Sequence, residues 1–379
     1  MKKIRIIQFI ELILLMGVLV ILVTVLTLVG KNNTQSQEER HFDINIEGWE
    51  WAFNGDGEFL ESKRQQATLK GIQTIELDFS LADLVFLTSD NDFLEVVQFN
   101  NKKVASERLF EVKEAEKRVV IEGNDRGDDL GILNHPSLRY RIEISVPRTY
   151  RGELVVKTNS GDISLSGIEN LEKLTGNTSS GDISMDKLQT EVYSLQTSSG
   201  DIDAETLVGE GALETHSGDI EIGKVVGAKH KIKTSSGEIE VESMEGDVKV
   251  NTTSGGIAIN HLVAVNYSLT SSSGDIEVKD LSGTDEGEVE TNSGNIELTY
   301  NQLTGYANIE ASSGNVQIDL SKDFEGEIEA YVSSGDIDGN VDFSYKGEDE
   351  KRAEAIMGAA TKAKLSIETT SGNIDVYQR

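Results

Sequence analysis

One four-residue phrase, Ser-Gly-Asp-Ile or a near copy, recurs from Asn159 to the end of the chain and governs what the chain can fold into. Its glycines are Gly161, Gly181, Gly200, Gly218, Gly237, Gly255, Gly274, Gly294, Gly314, Gly335 and Gly372. The first nine intervals are 20, 19, 18, 19, 18, 19, 20, 20 and 21 residues, and the last is 37. A fixed period near 19 marks a solenoid, in which each repeat makes one turn and stacks on its neighbour. The long last interval fits two turns, one with a degenerate phrase.

Each repeat has an internal grammar. Isoleucine or valine stands two residues after every glycine, from Ile163 to Ile374. A second apolar residue stands four after it in most turns, as in Leu165, Met185, Ile222, Val241 and Ile259. This alternation is that of a strand with one buried face. A third apolar residue follows seven after the glycine in the first seven turns, from Ile168 to Leu281. A second strand precedes the glycine. It carries an aliphatic residue five places back (Val156, Leu195, Leu213, Ile232, Val250) and threonine three places back (Thr158, Thr178, Thr197, Thr215, Thr234, Thr252). Apolar parity shifts across the glycine, so the chain must bend there, and glycine is expected to supply the backbone freedom.

The expected fold class is therefore all-β: a parallel β-solenoid (β-helix) with turns of about 19 residues. Equivalent strands would pair in parallel about 4.8 Å apart, and eleven turns would rise on the order of 50 Å. Aromatic residues are only 6% of the chain, so the core must consist of stacked small aliphatics. Burying four of them per turn contributes roughly 1.5–3 kcal/mol each. That must offset the ordering entropy of the whole turn, so neighbouring turns depend on one another. The threonine hydroxyls are expected to hydrogen-bond along the ladder.

The N-terminus reads differently. Lys2, Lys3 and Arg5 precede residues 12–30, a stretch of 19 without charge that is long enough to cross a bilayer as a helix. The flanking charges predict a cytoplasmic N-terminus and an extracytoplasmic C-terminus. No small-x-small cleavage site follows, so the span reads as an uncleaved single-pass cell-membrane anchor. The organisation is then residues 1–30, cytoplasmic tip and anchor; 31–71, tether and N-terminal cap with Trp49 and Trp51; 72–150, irregular early turns; and 151–379, the regular coil. A degenerate turn is expected near 340–364, where the charged, Ala-rich segment 348–364 reads as a short helix or an inserted loop. The chain stops almost at once after the last strand, so the last turn is expected to end the fold.

Lys plus Arg number 35 against 66 Asp plus Glu, a formal charge of −31 that repels nucleic-acid phosphates and excludes DNA or RNA as partner. The chain has no cysteine, which removes disulfides, thiolate catalysis, lipoprotein attachment and Cys-based zinc sites. The acid after the glycine could line one edge. Asp162, Asp182, Asp201, Asp219 and Asp275 are candidate Ca²⁺ ligands in such a ladder. Glu238, Gly256, Asn295, Asn315 and Asn373 at the same position favour turn chemistry instead. The repeated serines cannot all be nucleophiles, because catalysis needs one activated residue beside a base. His41, His135, His216, His230 and His261 form no metal-ligand pattern. The asparagines Asn32, Asn177, Asn251 and Asn266 head Asn-x-Ser/Thr sequons, as serine and threonine richness makes expected by chance. No cofactor is implied.

The anchor, the segment IELDFSLADLVFLTSD, the entry RIEISVPRTYRGELVVKTNSGDISL and the repeated SSGDI together resemble the putative-adhesin β-strand-repeat family of unknown function, common in Gram-positive and related bacteria. The resemblance covers roughly residues 72–376. It implies a β-solenoid, no established enzymatic activity and no catalytic residues to carry over. The leading expectation is a non-catalytic, extracytoplasmic structural or interaction protein. Its partner would be a cell-envelope polymer or a membrane or surface protein. Two alternatives stand beside it: a polysaccharide-active β-helix enzyme, and a β-helical scaffold that polymerises end to end.

Overall fold

The computed structural model describes residues 59–125, 138–346, 349–358 and 363–379. The expected membrane span at 12–30 and the Trp49/Trp51 cap lie outside the described residues. Among the described residues no helix is long and apolar enough to cross a membrane. The helical piece there is one short turn, Ser106–Arg108. All else of regular structure is β, joined in one hydrogen-bonded sheet system.

The middle of the chain is a coil of parallel strands. Ile183–Gln196, Ile202–Glu214, Ile220–Lys233, Ile239–Thr252, Ile257–Ser271 and Ile276–Ser293 each pair with the next. The isoleucines two after each glycine lie directly over one another: Ile183 on Ile202, Ile202 on Ile220, Ile220 on Ile239. All four are buried, at 0–1% exposure, so the column runs through the core. The residues four and seven after the glycine, and five before it, join the same cluster.

The expected backbone freedom is used at Gly335 and Gly372, with φ of 140° and 157°, but in the earlier turns the reason for glycine is different. Gly200 does not adopt the left-handed conformation; its constraint is space. A Cβ there would lie 2.0 Å from the carbonyl oxygen of Gly181 one turn away. Turns stack backbone on backbone at this corner, and no side chain fits between them. A second corner, absent from the sequence grammar, falls at Gly209, Gly227 and Gly246, nine after the phrase. Gly209 does need glycine conformationally, with φ of 133°, and a Cβ there would meet the Thr190 carbonyl at 1.9 Å. The ladder shifts register at this corner.

Both ends of the coil depart from chain order. The expected early turns are present, but Thr74–Asp78 lies between Arg118–Glu122 and Glu153–Lys157, parallel to both. Asp83–Ser89 likewise lies between Tyr140–Pro147 and Ile163–Leu165. At the other end, Lys364–Ser371 lies between Tyr306–Ser313 and Gly326–Ser334. The interval of 37 is therefore not two consecutive turns, and the final segment is not the end of the fold. In place of the degenerate turn, helix or inserted loop expected near 340–364, the described residues there include two strands. Ser344–Lys346 and Arg352–Met357 pair antiparallel with each other, and Arg352–Met357 pairs antiparallel with Gly326–Ser334. The alternation of buried Ala353 and Ala355 with outward Arg352, Glu354 and Ile356 makes that segment a strand, despite its helix-favouring composition.

Antiparallel strands also cover the N-terminal end. Phe93–Asn100 pairs with Tyr140–Pro147 and carries Leu60–Thr68 outside it. Glu111–Ala115 covers Arg118–Glu122. These outer strands are rich in charge, as in Glu61, Lys63, Arg64, Glu111, Lys113 and Glu114, which discourages edge-to-edge pairing.

Candidate interaction face

The glycine corner is held by two hydrogen-bonded ladders. Within a turn, the threonine three before the glycine accepts that glycine's amide, as in Gly237 N to Thr234 Oγ1 at 3.1 Å. The same hydroxyl donates across the stack to the glycine carbonyl of the neighbouring turn, Thr234 Oγ1 to Gly218 O at 2.9 Å. Thr178, Thr197, Thr215 and Thr252 repeat both contacts. A hydroxyl is needed here because the corner leaves one amide and one carbonyl per turn outside the strand ladder, and both are buried.

The second ladder uses the acids after the glycine. Asp162 Oδ1 accepts the amide of Asp182 at 2.9 Å, Asp182 that of Asp201 at 2.9 Å, and Asp201 that of Asp219 at 2.8 Å. Asn295 and Asn315 accept the amides of Asn315 and Asn373 in the same way, at 3.0 and 2.9 Å. The amide contact is therefore satisfied equally by asparagine. The negative charge at Asp162, Asp182, Asp201, Asp219 and Asp275 is not what the corner requires.

That charge continues across the strand that follows. The outward residues three after the glycine stack in register, Asp203 on Glu221 and Glu221 on Glu240, with Glu277 on Glu297 further along. Asp186, Glu205 and Glu242 lie outward two residues beyond. Among the described residues no ion pair touches this face between Asp182 and Glu242. Lysines on the strand before the glycine do pair, Lys173 with Glu153 at 2.8 Å, Lys157 with Glu76 at 3.0 Å and Lys231 with Glu214 at 2.6 Å; on the strand after it Lys187 pairs with Glu169 at 2.7 Å and, further along the face, Lys279 with Glu277 at 3.7 Å. Like charges stacked directly opposite one another are destabilising, so the column Asp203, Glu221 and Glu240, bounded by Ser184 and Ala258, is an unfavourable arrangement.

The crowding shows in the acids themselves. Restricted hydration, then Glu221, Asp201, Asp182 and Asp219, push the Asp203 carboxyl up to about 6. Its side chain keeps contact with solvent, so water and salt screen part of that effect. At the N-terminal end of the ladder, burial raises Asp83 to about 6, against the amide of Asp162, which favours its ionised form. Asp162 is raised as well, again chiefly by burial.

One inward column escaped the sequence grammar. Seven before each glycine stand Leu174, Tyr193, Gly211, His230, Val248, Tyr267 and Gly287. Tyr193 and His230 are buried at 2% and 1% exposure, and Tyr193 Oη lies 3.0 Å from His230 Nδ1. His230 Nε2 lies 3.2 Å from the Glu245 carbonyl, which makes Nε2 the protonated nitrogen and Nδ1 the acceptor. Gly211 leaves the room: a Cβ would lie 2.6 Å from the Tyr193 ring. Tyr267 repeats the device, with Gly283 and Gly287 against its ring and its hydroxyl 2.7 Å from that of buried Tyr300. Burial pushes the Tyr267 hydroxyl up to about 12 and the Tyr193 hydroxyl well up. Tyrosine or histidine alternating with glycine at one repeat position was the available signal.

The remaining sequence candidates divide plainly. The five candidate calcium ligands stand in one column, but each offers Oδ1 to a neighbouring amide or side chain. Among the described residues no three His, Asp or Glu side chains converge as metal ligands would. His216 is exposed, and His261 Nδ1 lies 2.9 Å from Asp280. His41 and His135 lie outside the described residues. The corner serines Ser160, Ser180, Ser199, Ser217 and Ser236 are exposed.

These features define a class: a repeat-built parallel β-coil whose stacked corners carry a face of one sign of charge. The chain belongs to the family described as Toastrack DUF4097, whose model matches residues 72–259 and again 244–377. This is the putative-adhesin resemblance read from the SGDI phrase. Among solved structures, the chain is similar to a putative cell adhesion protein from Clostridium sporogenes ATCC 15579, at 13% identity over 85% of this chain and 100% of the other, with a TM-score of 0.23. It is similar to a putative adhesin from Bacteroides fragilis NCTC 9343, at 11% identity over 83% and 96%, with a TM-score of 0.31. It is also similar to a putative lipid binding protein from Parabacteroides distasonis ATCC 8503, at 14% identity over 83% and 96%, with a TM-score of 0.34. Likeness at these scores carries no argument about function. No curated protein matches the chain.

Proposed function

We propose that this chain is a membrane-anchored, extracytoplasmic, non-catalytic interaction protein. In this reading residues 12–30 form a single-pass anchor with the N-terminus in the cytoplasm. The coil presents its acidic face to a cell-envelope polymer or a surface protein. The observation that carries the reading is the register-stacked column of Asp203, Glu221 and Glu240. The fold tolerates this arrangement and does not need it, since Ser164, Ser184, Ala258 and Gln317 hold the same register position in other turns. A charge column held at a cost in stability is what a binding surface for a cationic or amine-bearing partner would retain. The antiparallel strands over both ends of the coil count against the polymerising scaffold, because they cover Gly326–Ser334, Arg118–Glu122 and Tyr140–Pro147 and, among the described end strands, leave the three-residue Ile337–Gly339 as a parallel edge for another copy's coil.

The test has two arms on the full-length protein. External protease on intact cells should digest the coil; full protection would place it inside and end the reading. The detergent-solubilised protein should retain material from envelope fractions at low salt, and Asp203→Asn/Glu221→Gln/Glu240→Gln should lose it. Glycan cleavage abolished by a single carboxylate change would replace this reading with the enzyme.

A further inference from the structure

The geometry points to Lys364–Ser371 as a keystone: a segment that holds together two turns that precede it in the chain, and without which that end of the coil opens. In a solenoid built in chain order the last turn touches one neighbour, and losing it shortens the stack by one. Here the last segment is enclosed. Ile367 stands in register with Ile309 on one side and with Ala330 on the other. Ile374 stands between Val316 and Ile337. All six residues belong to the core cluster, and Ile367 and Ile374 are 1% and 0% exposed.

The corner chemistry runs through the same segment. Thr369 Oγ1 donates to Gly314 O at 3.0 Å, and Gly314 N donates to Ser371 O at 3.0 Å. On the far side Gly372 N donates to Ser334 O at 3.0 Å. The amide ladder passes from Asn315 to Asn373 and from Asn373 to Asp336, at 2.9 and 3.0 Å. Gly326–Ser334 has no contact with Tyr306–Ser313 in the ladder except through this strand, and its other partner is the cap strand Arg352–Met357. Three elements are thus hung on one. The N-terminal end is built the same way, with Thr74–Asp78 and Asp83–Ser89 enclosed. Each enclosed strand must break two ladders to leave instead of one. The coil therefore resists fraying at both ends, and its C-terminal end closes only when residues 364–378 are in place.

Hydrogen exchange on the full-length protein reads this directly. Ile367→Asp should reduce amide protection on the order of a hundredfold in Tyr306–Ser313, Lys364–Ser371, Gly326–Ser334 and Arg352–Met357 together, leaving Ile183–Gln196 to Ile257–Ser271 unchanged. Ile328→Asp, in the outermost turn, should open Gly326–Ser334 and Arg352–Met357 and leave Lys364–Ser371 protected. Loss confined to Lys364–Ser371 in the first variant would overturn the proposal, as would loss of Lys364–Ser371 in the second. Should Ile367→Asp not fold, the measurement passes to a chain with a protease site replacing residues 347–348, cut after folding. The fragment 349–379 should stay bound until the rest of the coil unfolds in denaturant; release at lower denaturant overturns the keystone.

Discussion

His230 sits one hydrogen bond from Tyr193, 3.0 Å from ring nitrogen to hydroxyl, across a turn that Gly211 leaves empty. Burial lowers the pKa of the imidazole. Above about pH 6.5 both the folded and unfolded chain hold it neutral, and the buried pair contributes in full. As pH falls below that, the unfolded chain takes up a proton that the folded core resists, and stability is lost through the folded-state pKa. Thermal unfolding of His230→Phe should therefore fall less between pH 7 and pH 5 than that of the parent. Equal slopes would show that His230 has no part in acid sensitivity. Gly211→Ala should cost about 1–3 kcal/mol at any pH by crowding the Tyr193 ring and carbonyl.

Asp203 has the opposite sign. Its folded-state carboxyl is raised to about 6, so its relative contribution is fully present below the unfolded value near 4 and is lost as pH rises through about 6. Asp203→Asn should melt higher than the parent at pH 7.5, and the two should converge near pH 4. High salt should narrow the gap, because the residue is open to screening. An unchanged or lower melting temperature at pH 7.5 would remove the charge-crowding account.

The corner acid separates charge from hydrogen bonding. Asp201→Asn keeps an acceptor for the Asp219 amide and should be neutral or stabilising, whereas Asp201→Ala leaves that amide to water and should cost about 1 kcal/mol. Chemical denaturation of the two variants side by side checks the order. If calcium were the ladder's purpose, the parent would melt lower in chelator and Asp201→Asn would lose that response.

Thr234 closes the corner from inside. Thr234→Val removes the partner of both Gly237 N and Gly218 O in a buried site and should cost roughly 2–4 kcal/mol; Thr234→Ser should recover most of it. Equal stabilities of the Val and Ser variants would mean that the column stabilises only through its methyl groups.

Gly200→Ala puts a Cβ 2.0 Å from the Gly181 carbonyl, where backbone must move rather than a flexible side chain. The expected loss is roughly 3–5 kcal/mol, spread over the turns on either side, and is measured by denaturation and by exchange of Ile183–Gln196 and Ile202–Glu214.

The sequence by itself determined the repeat, its two strands and the column of inward residues. Ile183, Ile202, Ile220 and the threonines of the phrase could be assigned because period-2 alternation and a period near 19 leave one arrangement that buries them all. It also determined the excess of acid, though not that Asp203, Glu221 and Glu240 would stack. Only the tertiary structure decided why glycine occupies the corner, since the clash with the carbonyl one turn away involves residues some 19 apart and leaves no local signature. It alone decided the partners of Tyr193 and His230, which meet across an intervening turn. It alone decided the order of the end turns. Strand grammar records which face of Ile367 is buried but not whether Ile309, Ala330 or both lie beside it. That choice rests on which pairing buries the most aliphatic surface while an antiparallel strand still covers the open edge.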